Sequence, residues 1–336
     1  MGTYIKRHIN WKESDEMIRV LVTGVGAIIG YGVIKSLRKL DEPVYIVGMD
    51  IYDDAVGQHW CDKFIQAKYA VDPQYMEFLK KVIHENEIDL VFFGTEQEIY
   101  RVNNAREELG GEIDKFVINK PNVLELSKDK WLTREFLIGQ GLSDLTIPSV
   151  IEGTYEEIAQ KFGERFMLKP RSSYASKGIE IVSNKEEFDF YKKRMGSNFM
   201  AQKLVGDAEH EYTVSIFGKG DGTYFGRIAL RRVLSQEGAT AKAEVVEYEK
   251  LFEEVDLLCQ AFKPFGPTNL QFRLEEGKYL LLEINPRISS STSIRMAFGF
   301  NEAQMCLEYY LKGNIIVPEV RKGKAVRFID EVVSVL

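Results

Sequence analysis

The chain has 336 residues, 45% of them hydrophobic and 28% charged, with a formal net charge of −7. This length and apolar content support a substantial core divided into two or three compact units. The acidic balance argues against a general nucleic-acid or anionic-membrane binder, so any recognition of phosphate has to be local. Cys61, Cys259 and Cys306 are far apart and lack metal-ligand spacing, which suits reduced thiols in a cytoplasmic protein. No apolar run has the length of a membrane span, and the polar residues 1–16 read as an extension or an extra packed element.

The first element is an apolar strand at 18–23 (IRVLVT), followed by Gly24, Gly26 and Gly30 and a helical pattern to Leu40. A second strand, 44–49, ends at Asp50. Glycines after a strand with an acidic residue downstream resemble a dinucleotide fingerprint, and this carries one rival reading, an NAD(P)-dependent oxidoreductase. Glycines in these places also let a strand turn tightly into a helix, and a helix N-terminus attracts any anion. A helix at 73–86, a strand at 90–93, a helix after Thr95 and a strand at 116–118 continue the alternation. Such alternation predicts a parallel sheet covered by helices, with the strand ends at Gly24, Asp50 and Gly94-Thr95-Glu96 lining one crevice. Glu96 and Glu98 read first as a solvated helix start, favoured by the helix dipole, with contact to substrate or an adjoining loop as the alternative.

Asn119-Lys120-Pro121-Asn122 marks a boundary, after which Lys130 opens an apolar helix running through Ile138. The strand 166–170 (FMLKP) carries Lys169 at its end, and the small polar loop 172–178 (SSYASKG) leads to a strand at 179–182. Backbone amides and hydroxyls in such a loop can donate to phosphate. A strand at 199–204 (FMAQKL) passes through Val205-Gly206 into the apolar run 211–214. Arg231 and Arg232 sit side by side on a strand at 228–233, where only one can face a cleft. Residues 235–242 read as a flexible loop and 245–262 as a helix.

A β-hairpin follows. Gln271-Phe272 closes one apolar run, 275–278 makes a turn, and 279–284 runs into Asn285, Pro286 and Arg287. Glu283 and Asn285 occupy alternate strand positions and point to the same face. Gln271, Glu283 and Asn285 offer hard oxygen ligands of the kind that hold Mg²⁺ against nucleotide phosphates. Flanked by Leu280, Leu281, Leu282 and Ile284, the Glu283 carboxylate is costly to bury without a cation. Pro286 ends the strand, and Arg287 can neutralise phosphate. Hydroxyls crowd 289–293, Arg295 reads as a binder of acidic substrate or a surface ion pair, and a helix at 301–311 and a strand at 325–328 close the chain.

Gln271-Phe272, the short turn and Glu283-Ile284-Asn285-Pro286-Arg287 resemble the metal-binding hairpin of the ATP-grasp superfamily, in the version found in carbamoyl-phosphate synthase large chains and related carboxylate-amine ligases. The resemblance runs over roughly residues 18–330. It implies an α/β protein with an N-terminal Rossmann-like parallel-sheet (pre-ATP-grasp) domain followed by an ATP-grasp fold of two α+β subdomains. The corresponding boundaries are 1–16 for the extension, 17–120 for the Rossmann-like domain, 121–204 for the lid subdomain and 205–336 for the C-terminal catalytic subdomain.

For the site, the resemblance implies that Gln271, Glu283 and Asn285 hold two Mg²⁺ ions, or Mn²⁺ in their place, with Glu283 bridging. Arg287 would face the transferred phosphoryl group. Lys130 and Lys169 would contact ATP, and Lys169 and Arg231 would join Arg287 in the catalytic set. Ser176 and Gly178 would close over the triphosphate. Gln202, Lys203, Leu204 and Val205 would read adenine, and Glu211 would accept from the ribose. Two departures stand out: Gly178 is alone where relatives carry several glycines, and serines occupy 289–291 where glycines are frequent. The implied activity is an ATP-dependent, Mg-dependent ligase that activates a carboxylate as an acyl-phosphate for an amine or other nucleophile and releases ADP. A cytoplasmic enzyme acting on small molecules is expected, compatible with a homodimer and without nucleic-acid or membrane partners. The second rival is a non-catalytic ATP- or ADP-binding regulatory module. With one such module and no glutaminase half, production of carbamoyl phosphate itself is not expected.

Overall fold

A computed structural model describes residues 17–172, 178–236 and 238–333; the extension 1–16 and Ser176 lie outside them. The first unit is a parallel sheet of β1 (Arg19–Thr23), β2 (Tyr45–Asp50), β3 (Lys63–Gln66) and β4 (Leu90–Phe92), in the order β3-β2-β1-β4. Helices α1 (Ile28–Leu37), α2 (Tyr75–Glu85), α3 (Glu96–Asn104) and α4 (Arg106–Leu109) complete it. Burial on both faces explains the unbroken apolar run of β1. Val20 and Val22 enter one core with Val33 and Ile34 of α1, whereas Leu21 enters the other with Leu79 and Val82 of α2. The glycines serve geometry: Gly24 has φ +57°, and a Cβ on Gly30 would lie 2.2 Å from the Gly24 carbonyl oxygen. The strand predicted at 116–118 is reduced to a parallel bridge between Phe116 and Val91.

Helices α5 (Pro121–Lys128) and α6 (Lys130–Gly139) connect to a four-stranded antiparallel sheet, β5 (Ser149–Val150), β6 (Phe166–Pro170), β7 (Glu180–Val182) and β8 (Phe199–Gln202), in the order β5-β8-β6-β7. Its core is formed by Phe166, Leu168 and Phe199 with Phe188 of the covering helices α7 (Tyr155–Phe162) and α8 (Lys185–Met195). Strand alternation therefore turns Met167 and Lys169 to the opposite face of β6.

The largest sheet is antiparallel and six-stranded: β9 (Glu211–Lys219), β10 (Tyr224–Leu234), β11 (Thr240–Val246), β12 (Phe265–Glu275), β13 (Lys278–Asn285) and β14 (Lys324–Val326), in the order β13-β12-β9-β10-β11-β14. Tyr212, Val214, Ile216, Leu270 and Phe272 form one core with Val123 of α5, Leu137 of α6 and the apolar stripe of α9 (Glu249–Phe262). Helices α5 and α6 thus pack on this sheet.

Residues 240–246 correct two expectations, since they are a strand and α9 begins only at Glu249. Lys242 and Glu244 point outward while Ala243 and Val245 pair with Arg232 and Leu230. The alternation was hidden because its inward members include a small alanine, and Val245-Val246 close this strand instead of opening the helix. Helices α10 (Thr292–Ala297) and α11 (Glu302–Cys306) follow the hairpin, and a π-helical segment at Leu307–Leu311 ends the helix predicted at 301–311.

Candidate nucleotide and metal site

Register in the large sheet gathers the polar residues on one face. Gln271 lies opposite Glu283 and also opposite Thr213, Asn269 lies opposite Asn285 and Ser215, and Arg273 lies opposite Glu211. Since side chains alternate, positions 211, 213 and 215 of β9 share a face with 269, 271 and 273 of β12 and with Arg232 of β10. A β-bulge places Leu282 as an extra residue between the pairs Gln271–Glu283 and Phe272–Leu281. Such a bulge re-aims one side chain, and here the strand end that it turns carries Glu283 and Asn285.

This face opens on a cavity of about 470 Å³, a size typical of small-molecule sites. Its other walls are Met167 and Lys169 of β6, Gln202 and Val205 beside β8, Lys130 at the start of α6, and Ile28, Ile29 and Glu96 from the first unit. Ile147, Met167, Ile179, Val205 and Leu282 supply an apolar portion. Six cationic side chains line the cavity against three carboxylates, in a protein whose net charge is −7. The local positive field is what an anion such as a nucleotide triphosphate requires.

The charged groups are interlocked. Arg232, buried, donates to Glu211 Oε1 at 2.9 Å and to Gln271 Oε1 at 2.6 Å. Arg273 donates to the other oxygen of Glu211. Asn285 Nδ2 donates to Glu283 Oε1 at 2.9 Å, and Arg287 donates to Asn285 Oδ1 at 2.9 Å and to Glu96 at 3.0 Å. Burial would raise the Glu283 carboxyl, but Lys130, the Asn285 hydrogen bond, Arg287 and Arg232 together hold it below the usual carboxylate range. Burial, reinforced by Lys130, pushes Lys169 down to about 7 although Glu283 opposes the shift. Lys169 is thus poised to gain charge when a polyanion enters.

Most of the expected site residues meet in this cavity: Lys130, Lys169, Gln202, Lys203, Val205, Glu211, Gln271, Glu283, Asn285 and Arg287. Leu204 and the exposed Gly178 are not among its lining residues, and Ser176 lies outside the described chain. The Gln202 side chain is committed to Ser149 Oγ at 2.9 Å, and Glu211 is enclosed by two arginines.

Arg231 is a correction. It points away from the cavity and pairs with Glu244 of β11 at 2.6 Å, so Arg232 is the arginine on the polar face. For Glu96 the alternative of a contact with an adjoining loop is the one seen, and for Glu98 the solvated reading is corrected. Glu96 pairs with Arg287, whereas Glu98 is buried and accepts from Thr23, from Thr95 at 2.7 Å and from Tyr75 at 2.9 Å. Asp50, the acidic residue of the glycine pattern, is engaged by the Gly26 amide at 2.7 Å, which ties it to the turn. Arg273, Arg232 and the apolar wall were missed. Alternation along NLQFR, which sets Arg273 on the face of Gln271, could have signalled the first.

Among the described residues no three His, Cys, Asp or Glu side chains cluster to hold a metal. The donor set is one carboxylate and two amide oxygens on one face. This fits Mg²⁺, which takes few protein ligands when phosphate oxygens and water complete its shell. No described helix is long and apolar enough to cross a membrane.

Residues 200–332 match a family model described as ATP-grasp in the biosynthetic pathway with Ter operon. The carbamoyl phosphate synthase large chain of Thermoplasma volcanium is 23% identical over 312 residues, covering 83% of this chain but 29% of the relative. Among solved structures, N5-carboxyaminoimidazole synthetase from Staphylococcus aureus complexed with ADP superposes with a TM-score of 0.70 at 17% identity, covering 93% of this chain and 82% of that one. Biotin carboxylase from Campylobacter jejuni, as a beta-gamma-ATP complex, gives 0.69 at 15% identity, with 88% of this chain and 71% of that one covered. The chain spans less than a third of the length of the carbamoyl phosphate synthase relative. The match to an ATP-grasp family model thus spans the part of the chain that carries the hairpin 271–287, and the fold over most of the chain is like that of these solved structures.

Proposed function

We propose that the protein is an ATP-dependent ligase that activates a small-molecule carboxylate. A carboxylate oxygen attacks the γ-phosphorus of ATP, the bond from that phosphorus to the β–γ bridging oxygen breaks, and ADP leaves. An amine then attacks the acyl carbon of the resulting acyl-phosphate, losing a proton as inorganic phosphate departs. The observation that carries the reading is the convergence of Gln271, Glu283 and Asn285 with Lys130, Lys169 and Arg287 around one cavity. Gln271, Glu283 and Asn285 would hold Mg²⁺, which when bound screens phosphate charge and orients the β- and γ-phosphoryl oxygens. Lys169 would neutralise the phosphates, and Arg287 would steady the phosphoryl group in transfer. Glu96 holds Arg287 at the junction with the first unit, between the nucleotide side and the crevice in which an acceptor would sit. The apolar wall formed by Ile147, Met167 and Leu282 suits the face of a purine ring.

The test is ADP release with Mg-ATP across a panel of carboxylate and amine pairs. Release that requires both an added carboxylate and an added amine is expected. Tight Mg-ATP binding without turnover across the panel would instead identify a nucleotide-binding regulatory module, and binding of NAD(P)H without ATP would reject the ligase reading.

A further inference from the structure

Behind the cavity, the same polar face of the large sheet continues into the interior. Arg295 of α10 is 0% exposed and Glu302 of α11 is 1% exposed. Arg295 Nη1 lies 3.3 Å from Glu302 Oε1, which also accepts from Ser215 Oγ at 2.6 Å. Arg295 Nη2 donates to Thr213 Oγ1 at 2.9 Å and to Asn269 Oδ1, and Thr213 Oγ1 donates to Asn269 as well. Neither partner is itself among the residues that line the cavity. An ion pair buried this deeply is a poor source of stability, because desolvating two charges offsets most of their attraction. Among the described residues Arg295 Nε, Glu302 Oε2 and Asn269 Nδ2 also lack hydrogen-bond partners, which lowers the stabilising value further.

The residues the pair touches are specific. Asn269 is the cross-strand neighbour of Asn285, and Thr213 is the cross-strand neighbour of Gln271. Directly opposed side chains in a sheet stand in contact. From Asn285 the polar connection runs on to Glu283 and Arg287. The first turn of α10 packs on α1, where a Cβ on Gly32 would lie 2.9 Å from Thr292, and Asn301 donates to the Ser36 carbonyl at 3.0 Å. The pair is therefore anchored to the first unit on one side and to the ligand-bearing strands on the other.

We propose that the buried Arg295–Glu302 pair is a positioning element that orients Asn269 and Thr213, and through them the metal-ligand face of Gln271, Glu283 and Asn285. This rests on the reading of those three residues as metal ligands. Outer groups that orient ligands typically change metal affinity by about 10–100-fold when removed.

The test compares wild type, R295M, R295M/E302L, T213V and E283Q, measuring the melting temperature without ligand and the Mn²⁺ affinity by electron paramagnetic resonance in the presence of a non-hydrolysable ATP analogue. R295M alone should melt well below wild type, since Glu302 is left buried without its partner. R295M/E302L should recover a melting temperature near wild type yet bind Mn²⁺ about tenfold more weakly. T213V, which keeps the ion pair, should fold normally and weaken Mn²⁺ binding about threefold, and it carries the test if the double variant does not fold. If E283Q weakens Mn²⁺ binding while the folded positioning variants bind within twofold of wild type, the positioning role is wrong and the metal reading stands. If E283Q binds Mn²⁺ as wild type does, the metal reading fails and the positioning role falls with it.

Discussion

The two faces of the six-stranded sheet are made by the same strands and differ only in which alternate residues they carry. Phe272 and Leu270 look into a dry core with α9, while Gln271, Asn269 and Arg273 look toward the cavity and its buried extension. On the apolar side, stabilisation is non-directional and scales with buried area, so a side chain of similar volume would serve. On the polar side each group has named partners, and removing one leaves the other desolvated. The α9 face is given over to packing, whereas the other face carries the polar cavity lining beside an apolar patch of its own that includes Phe217, Ile228 and Leu230. The site can therefore carry four interlocked ionic residues, Glu211, Arg232, Arg273 and Glu283, because the reverse face supplies the packing that holds them.

Substitutions can break this contrast in either direction. The largest expected effect is Glu283→Gln, which should lower Mg-ATP turnover by about 100-fold or more while leaving the ligand-free melting temperature within a few degrees. Near-normal ADP release would remove Glu283 from the metal set. On the reverse face, Phe272→Ala should cost about 3–5 kcal/mol in denaturant unfolding through cavity formation, with turnover per folded molecule retained. A large loss of turnover without loss of stability would show that the faces are not separable.

Arg232→Met should both destabilise the protein and weaken nucleotide binding, because Glu211 loses one of its two arginines in a buried setting. Arg231→Ala removes a pair on the opposite face of the strand and should leave turnover and melting temperature near wild type. Equal effects of the two substitutions in the same assays would contradict the assigned register.

A further expected effect is a pH dependence from Lys169. Its pKa falls from an ordinary 10.5 to about 7 on folding, so the unfolded chain binds more protons between these values and stability rises with pH across that window. Lys169→Met should therefore raise the melting temperature most near pH 6.5, with the gain fading toward pH 10. ATP binding near pH 8 should be accompanied by proton uptake, measurable as a dependence of calorimetric heat on buffer ionisation enthalpy. A pH-independent difference between Lys169→Met and wild type would place Lys169 in a wetter setting.

Much of this site was legible along the chain. Glu283 and Asn285 at alternate strand positions and Lys169 at the end of an apolar strand were readable because each depends on local order. The parallel sheet was equally local in origin: an apolar run, a tight turn and a helix, repeated. Periodicity also stated that Arg231 and Arg232 must part company.

Periodicity could not say which arginine faced the site, since alternation defines two faces without saying what covers either. That depended on β10 pairing with β9 and β11, which sets Arg232 opposite Glu211 and Arg231 opposite Glu244. Arg287 met Glu96 from the first unit, although sequence context had suggested a solvated helix start for the latter. Arg295 moved from an expected surface or substrate contact to complete burial because α10 folds between the sheet and α1. Local residue order specified strands, turns and the chemical types at their ends. The distribution of charge between solvent, cavity and interior was set by contacts between distant segments, because the cost of a charge depends on what surrounds it in space.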